Sequence, residues 1–324
     1  MSTKTKKCPF CSSNKVVKRG RQDGIQTYWC RGCGKRFRSQ RKAKNILTGN
    51  IFDDFVFRKQ TIRELIDIHQ LDKKTVVKYL DSITVKKKDD HVPREIHLVV
   101  DATYFGKRKE GTSWGVILFR DYTKKENLWW MYVDHEKVSY YLEGKLLLEE
   151  KGYIIKSVTA DGFLGLNKVF SGIPFQICQF HTKKTCIRYL TNNPQTEPGK
   201  VLLALAKTIP YTDYVTFKTR LQMYIVKYND LLQEKTHHPS GEWSYTYDNL
   251  RSVIFTLSKY IDYLFTFEKN KLIPKTTNTC EGYFSHLKDI VRIHRGMSLT
   301  LKQKVIDRIM LNSSIVLKNE KTKK

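Results

Sequence analysis

Downstream of residue 95, apolar positions come in the runs and alternations of β-strands; upstream they recur at helical spacing or in short pieces. Residues 97–105 (HLVVDATYF) are almost continuously apolar, as in a strand buried on both faces. Residues 114–122 and 128–133 predict two more strands, 139–151 an amphipathic helix, and 154–160 (IIKSVTA) a strand ending at Asp161-Gly162. A short helix over 166–170 and a strand over 173–178 follow. Residues 201–209, 215–232 and 250–267 are amphipathic at helical period. Before this region, Thr61 with Glu64 forms a capping-box pattern ahead of Ile62, Leu65 and Ile66. Asp72 reads as a second N-cap, with Val76, Val77, Leu80 and Ile83 after it. Two short helices with a tight connection at 69–71 predict a helix-turn-helix. Earlier still, residues 15–19 and 25–29 read as strands joined by a Gln22-Asp23-Gly24 turn.

Three strands, helix, strand, helix, strand is the order of a ribonuclease-H-like mixed sheet, so the expected class is α/β. The expected organisation has five parts. They are a small ribbon with a basic extension (1–45), the helix-turn-helix (46–92), the first part of the core (93–181), an all-helical insertion (182–274), and core helices with a basic tail (275–324). Residues 86–90 (KKKDD) read as a polar linker.

Composition narrows the partner. The 324 residues carry 59 Lys+Arg against 32 Asp+Glu, a net charge of +27, and 40% apolar residues, enough for a real core. Such a basic chain points to a polyanion, nucleic acid first and anionic membrane second. No apolar run approaches the length of a membrane span, and no apolar segment follows the basic N-terminus, so a cytoplasmic location is expected. Residues 1–50 hold 14 Lys+Arg and one acid, Asp23. Lys35, Arg36, Arg38, Arg41 and Lys42 in the run KRFRSQRKAK, with Lys73, Lys74, Thr75 and Lys78 on the second helix, are the expected DNA contacts.

Cys8-x2-Cys11 and Cys30-x2-Cys33, 18 residues apart, have the paired-knuckle spacing of a tetrathiolate zinc site. Two disulfides are the alternative, disfavoured in a reducing compartment. Zinc would supply most of this segment's folding free energy and lower its charge from +13 to about +11.

Three carboxylates stand out in the core. Asp101 lies inside an apolar strand, where an ionised group is costly unless paired or metal-bound. Asp161 lies where a strand meets a Gly turn; a capping role is the alternative. Glu281, in TTNTCEGYFSHLK, borders the apolar stripe of Cys280, Phe284, Leu287 and Val291. Its alternative is a capping box with Asn278. Neighbouring acids repel unless a divalent cation holds them, Mg²⁺ being usual with oxygen ligands. Cys178 and His181 read either as a half-site for a second zinc with Cys186 or as a buried pair beside the sheet. Trp243, Tyr245, Tyr247, Tyr260 and Tyr263 suit stacking on unpaired bases or packing in a helical core.

At these residues the chain resembles the Mutator-like transposases of bacterial insertion sequences, over nearly its whole length. Asp101 in VVDATYFG, Asp161 in VTADG and Glu281 in TTNTCEGYFSHLK look like that family's catalytic triad, spaced by 60 and 120 residues. Cys178-Gln179-Phe180-His181 is similar to its Cys-x2-His signature, and His294-Arg295-Gly296 to the turn after its last acid. The resemblance implies two Mg²⁺ (or Mn²⁺) ions on the three acids, DNA strand cleavage and 3′-hydroxyl strand transfer, with His181 in a supporting role. The implied partner is double-stranded DNA, both element ends and target, bound by a dimer at the nucleoid. Alternatives are a catalytically silent DNA-binding regulator on the same scaffold and a structure-selective nuclease. No Gly-x4-Gly-Lys-[Ser/Thr] loop suggests ATP dependence.

Overall fold

The computed structural model describes residues 6–22, 25–38 and 48–312. The Asp23-Gly24 turn, Arg41, Lys42 and the basic tail 321–324 lie outside the described residues. The chain divides into two compact units, residues 1–83 and 84–324.

The first unit begins with three antiparallel strands in the order β1 (Val16–Gln22), β2 (Ile25–Cys30), β3 (Arg36–Arg38). The third strand is formed by the start of the basic run. Helices α1 (Thr48–Val56), α2 (Ile62–His69) and α3 (Lys73–Ser82) follow, packed mutually. The caps are as expected. Thr61 Oγ1 accepts from Glu64 N, and the Glu64 carboxylate accepts from Thr61 N at 2.7 Å. Asp72 Oδ1 accepts from Thr75 N at 3.0 Å. Gln70, left-handed at φ 49°, turns the chain between α2 and α3. Helix α1 was not expected; its buried Ile51, Phe52, Phe55 and Val56 complete a three-helix core with Leu65, Val76 and Leu80.

The second unit is built on a five-stranded mixed sheet of β4 (Glu95–Phe105), β5 (Trp114–Asp121), β6 (Glu126–Val133), β7 (Ile154–Ala160) and β8 (Phe175–Ile177). Their order is β6-β5-β4-β7-β8; the first three are antiparallel, and β4, β7 and β8 run parallel. Helix α4 (Val138–Glu150) connects β6 to β7, and α5 (Leu166–Val169) connects β7 to β8. Then come α6 (Gln179–Leu190), α7 (Glu197–Thr208), α8 (Tyr214–Lys227), α9 (Asn229–Gln233), the hairpin β9 (Lys235–His237) and β10 (Trp243–Tyr245), and α10 (Asp248–Leu264). The insertion is therefore not all-helical. Pro239, Ser240 and Gly241 turn the chain tightly enough to pair two short strands, and Thr236 and Thr246 hydrogen-bond across them at 2.8 Å. Helices α11 (Asn278–Ile293) and α12 (Leu299–Leu311) close the fold. No helix of the described residues is long and apolar enough to cross a membrane.

Alternation sorts the sheet's side chains. Ile96, Leu98, Val100, Ile117 and Phe119 enter the main core, continuous with α4, α5 and the insertion helices. His97, Val99, Asp101 and Thr103 point the other way by the two-residue period of a strand, and α11 packs on β4. Residues 86–90 are not a free linker. The Lys88 side chain is 9% exposed and bridges Asp90 and Glu126, and Glu126 also receives Arg94.

Candidate active site and candidate metal centre

Register brings the core residues together. In the parallel pair β4–β7 the last partners are Val99 and Thr159; in β7–β8, Thr159 meets Gln176 and Ala160 meets Ile177. One step of two residues beyond Val99 and Thr159 arrives at Asp101 and Asp161. One residue beyond Ala160 and Ile177 arrives at Asp161 and Cys178. The three positions thus lie side by side where β7 and β8 end while β4 runs on to Phe105, and the ends of parallel strands are where α/β sheets open a crevice. Asp101 Oδ1 accepts from Ala102 N at 2.9 Å, and Asp161 Oδ1 from Phe163 N at 3.0 Å.

A second segment crosses above these positions. Thr159 Oγ1 donates to Pro274 O at 2.9 Å, and Gln179 N donates to Lys275 O at 3.0 Å. These bonds hold residues 274–277 against the ends of β7 and β8. Thr277 N then approaches Cys178 Sγ at 3.3 Å, and α11 starts. Asn278 does not cap that helix; Thr277 holds the cap position and makes no side-chain cap bond. Glu281, in the first turn, is therefore not spent on a capping box. Its Oε1 lies 3.0 Å from His181 Nε2, on the first turn of α6.

The electrostatics follow from this crowding. Asp101 is 6% exposed; burial and then the charge of Asp161 push its carboxyl up to about 7. His181 is pushed up to about 9 by its hydrogen bond to Cys178, against its desolvation and aided by the charges of Asp101 and Glu281. Burial works most strongly against the Cys178 thiolate, but hydrogen bonds from the side chains and backbones of His181 and Thr277 together outweigh it, and its pKa falls below the ordinary value. The Thr277 hydroxyl lies 3.5 Å from both Cys178 Sγ and His181 Nδ1, and the other ring nitrogen of His181 faces Glu281. Cys186 belongs to the apolar core instead, so the second zinc half-site is not assembled.

A fourth carboxylate, Glu136, was missed by sequence reasoning. It accepts from Tyr141 OH at 2.7 Å, and its pKa is raised by burial and by the charge of Asp161. Its partners come from α4 and the end of β7, so nothing local marks it. Tyr260, Tyr263 and Tyr247 pack against the core, and Tyr260 OH donates to Gly162 O at 2.9 Å; Trp243 is exposed.

In the first unit, Cys8 Sγ lies 3.7 Å from Cys33 Sγ and Cys11 Sγ 3.6 Å from Cys30 Sγ. A tetrahedron with Zn–S bonds near 2.3 Å has S···S edges of about 3.8 Å. All four sulfurs lie within 4.8 Å of one another, none in a disulfide, so the set fits a zinc ion. The two knuckles are the same turn. Ser12 N donates to Cys8 O and Gly34 N to Cys30 O, both at 2.9 Å, with Ser12 and Gly34 left-handed at φ 57° and 70°. Among the described residues no other set of three or more Cys, His, Asp or Glu closes to that distance. Asp101, Asp161 and Glu281 act on one another's charge but do not close to that distance.

Of the expected DNA contacts, Lys35, Arg36, Arg38, Lys73, Lys74 and Lys78 are exposed. Thr75 is half-buried, and its hydroxyl donates to Asp72 Oδ2 at 2.6 Å; the helix cap takes it.

No protein-family model matches the chain, and comparison with curated proteins finds no match. Among solved structures, the chain is similar to the Drosophila P element transposase strand transfer complex. The TM-score is 0.33 and the identity 10%, over 82% of this chain and 91% of that one. A likeness of that size carries no argument about mechanism.

Proposed function

We propose that the chain is a DNA transposase of an insertion sequence, with a zinc ribbon and a helix-turn-helix that bind element ends and a ribonuclease-H-like core that cuts and joins strands. One observation carries the reading: Asp101 and Asp161 each lie two residues beyond the last β4–β7 pair, close enough to act on each other's charge, with Glu281 and His181 brought beside them from two helices. The strand order, three antiparallel strands and then two parallel ones, supports the ribonuclease-H-like assignment.

The donor set suits a hard divalent cation. Asp101 is buried beside a second carboxylate, and a cation removes the cost of ionising it. Asp101, Asp161 and Glu281 would hold Mg²⁺ or Mn²⁺. Such ions, when bound, supply an activated water or 3′-hydroxyl and stabilise the oxygens that enter and leave the phosphorus. The protein's own part is placement. The β4–β7 register would fix two carboxylates, the 274–277 crossing would aim the third, and His181, 3.0 Å from Glu281, would stand beside the bound phosphate. The Cys8, Cys11, Cys30 and Cys33 set would hold zinc and fold the ribbon around it.

The test is incubation with candidate element ends and Mg²⁺, followed by mapping of the cut strands. Asp101→Ala is expected to abolish cutting while binding to the ends persists; cutting that survives would sink the active-site assignment. A pre-cleaved 3′ end that fails to join target DNA, while cutting proceeds, would make the protein a nuclease instead.

A further inference from the structure

The ribbon's sheet has a face whose aromatic rings the binding reading does not use. Cross-strand register sets Lys18, Tyr28 and Phe37 in one row, since Lys18 pairs with Tyr28 and Tyr28 with Phe37. The Tyr28 and Phe37 rings stack at 5.5 Å with an interplanar angle of 18°, and Phe10 meets Phe37 edge-on at 6.5 Å. Phe10, on the first knuckle, is 56% exposed. Ammonium groups lie on these rings: Lys35 Nζ is 5.0 Å from the centre of Phe10 and Lys6 Nζ 4.3 Å from that of Tyr28. Residues 6–38 contain ten Lys+Arg and one acid, Asp23. The other face carries a single ring, Trp29, whose indole N–H is spent on Gly34 O at 3.0 Å.

We propose that the Phe10–Tyr28–Phe37 face binds the unpaired bases of single-stranded DNA. A binder of duplex backbone needs cations alone, because the faces of paired bases are shut inside the stack. One exposed ring, Phe10, beside the half-buried Tyr28 and Phe37 and interleaved with lysines, suits a strand whose bases are open: a base offers a π-face to stack, and a phosphate takes an ammonium group. Lysines resting on the rings exchange that contact for a phosphate when a base arrives, and their flexible stems make the exchange easy. The partner is thus a strand end or a melted stretch of DNA, read without sequence preference.

The inference rests on the zinc ribbon and not on strand cutting, so the two readings fail separately. The test uses the full zinc-loaded chain and fluorescence anisotropy, with an oligothymidine of about a dozen nucleotides and a blunt duplex of equal length at one salt concentration. Phe10→Ala is expected to weaken oligothymidine binding about tenfold and duplex binding less than about twofold, with Phe10→Tyr restoring it. Zinc content, measured on each variant, reports whether the ribbon is intact. On the unaltered chain, photocrosslinking of an iodouracil-substituted oligonucleotide should attach at Phe10, Tyr28 or Phe37. Crosslinks confined to other residues overturn the proposal, as does equal weakening on both DNAs, which would make the face a duplex contact.

Discussion

Asp101 concentrates the conflict between stability and chemistry. Its ordinary pKa is 3.8, and burial with the Asp161 charge raises it to about 7. A raised pKa means that the folded chain holds this proton more tightly than the unfolded chain. The associated stability is fully present below pH 3.8 and is lost as pH climbs through 7, on the order of 4 kcal/mol. Asp101→Asn removes the charge and keeps the shape. It should raise the melting temperature of the Mg²⁺-free protein at pH 8 and abolish the stabilisation that Mg²⁺ gives the unaltered chain. Calorimetry with and without Mg²⁺ checks both; a lower melting temperature for the variant would show that the carboxylate is structural. Asp101 was legible in the sequence because an acid within an apolar run stands out against period and burial. Glu136 was not, since what marks it is a tyrosine on the next helix and an aspartate on the next strand. The capping box with Asn278, the alternative reading of Glu281, does not form, because Thr277 holds the cap position and is anchored at Cys178.

At the scale of elements, long-range polar contacts decide where the last helices go. Asp307 on α12 accepts from Trp130 Nε1 and Tyr132 OH, both at 2.7 Å, and Tyr283 OH on α11 donates to Ile309 O at 2.6 Å. Nearby, Arg120 is buried beneath the Tyr283 ring, 5.2 Å from its centre, and desolvation lowers its pKa. Asp307→Ala would leave Trp130 Nε1 without its acceptor, while Tyr132 OH keeps Gln303 O at 2.8 Å, and should destabilise the second unit by about 1–3 kcal/mol. Urea unfolding followed by tryptophan fluorescence measures it; a change under about 0.5 kcal/mol, the surface norm, would show that water replaces the carboxylate. Strand and helix periods were readable because burial on a sheet or bundle face imposes them. The β9–β10 hairpin was not, with three-residue strands exposed at nearly every position and too short to carry a period. Lys88 likewise looked like part of a solvated charge run; only Glu126, 38 residues away, reveals it as a staple.

Across the whole molecule, the charge follows the division into units. Residues 1–83 carry 20 Lys+Arg against 7 Asp+Glu, and residues 84–324 carry 39 against 25. Within the first unit, residues 51–83 are balanced at six of each sign, so the whole excess of +13 lies in the first 50 residues. The helical half of that unit presents Lys73, Lys74 and Lys78 on a neutral background, suited to local contacts and not to long-range attraction. Attraction for DNA should then depend on the ribbon, and the ribbon on its four sulfurs. Removing zinc with a strong chelator should release the ribbon strands and flatten the slope of log K against log salt for duplex binding by several phosphate contacts. Circular dichroism of the second unit's sheet and helices should persist, because its core shares no ligand with the cysteines. A salt slope that survives chelation would move the electrostatic grip to the +14 of residues 84–324. The same scaffold would then have to attract phosphates around a site that gathers three carboxylates.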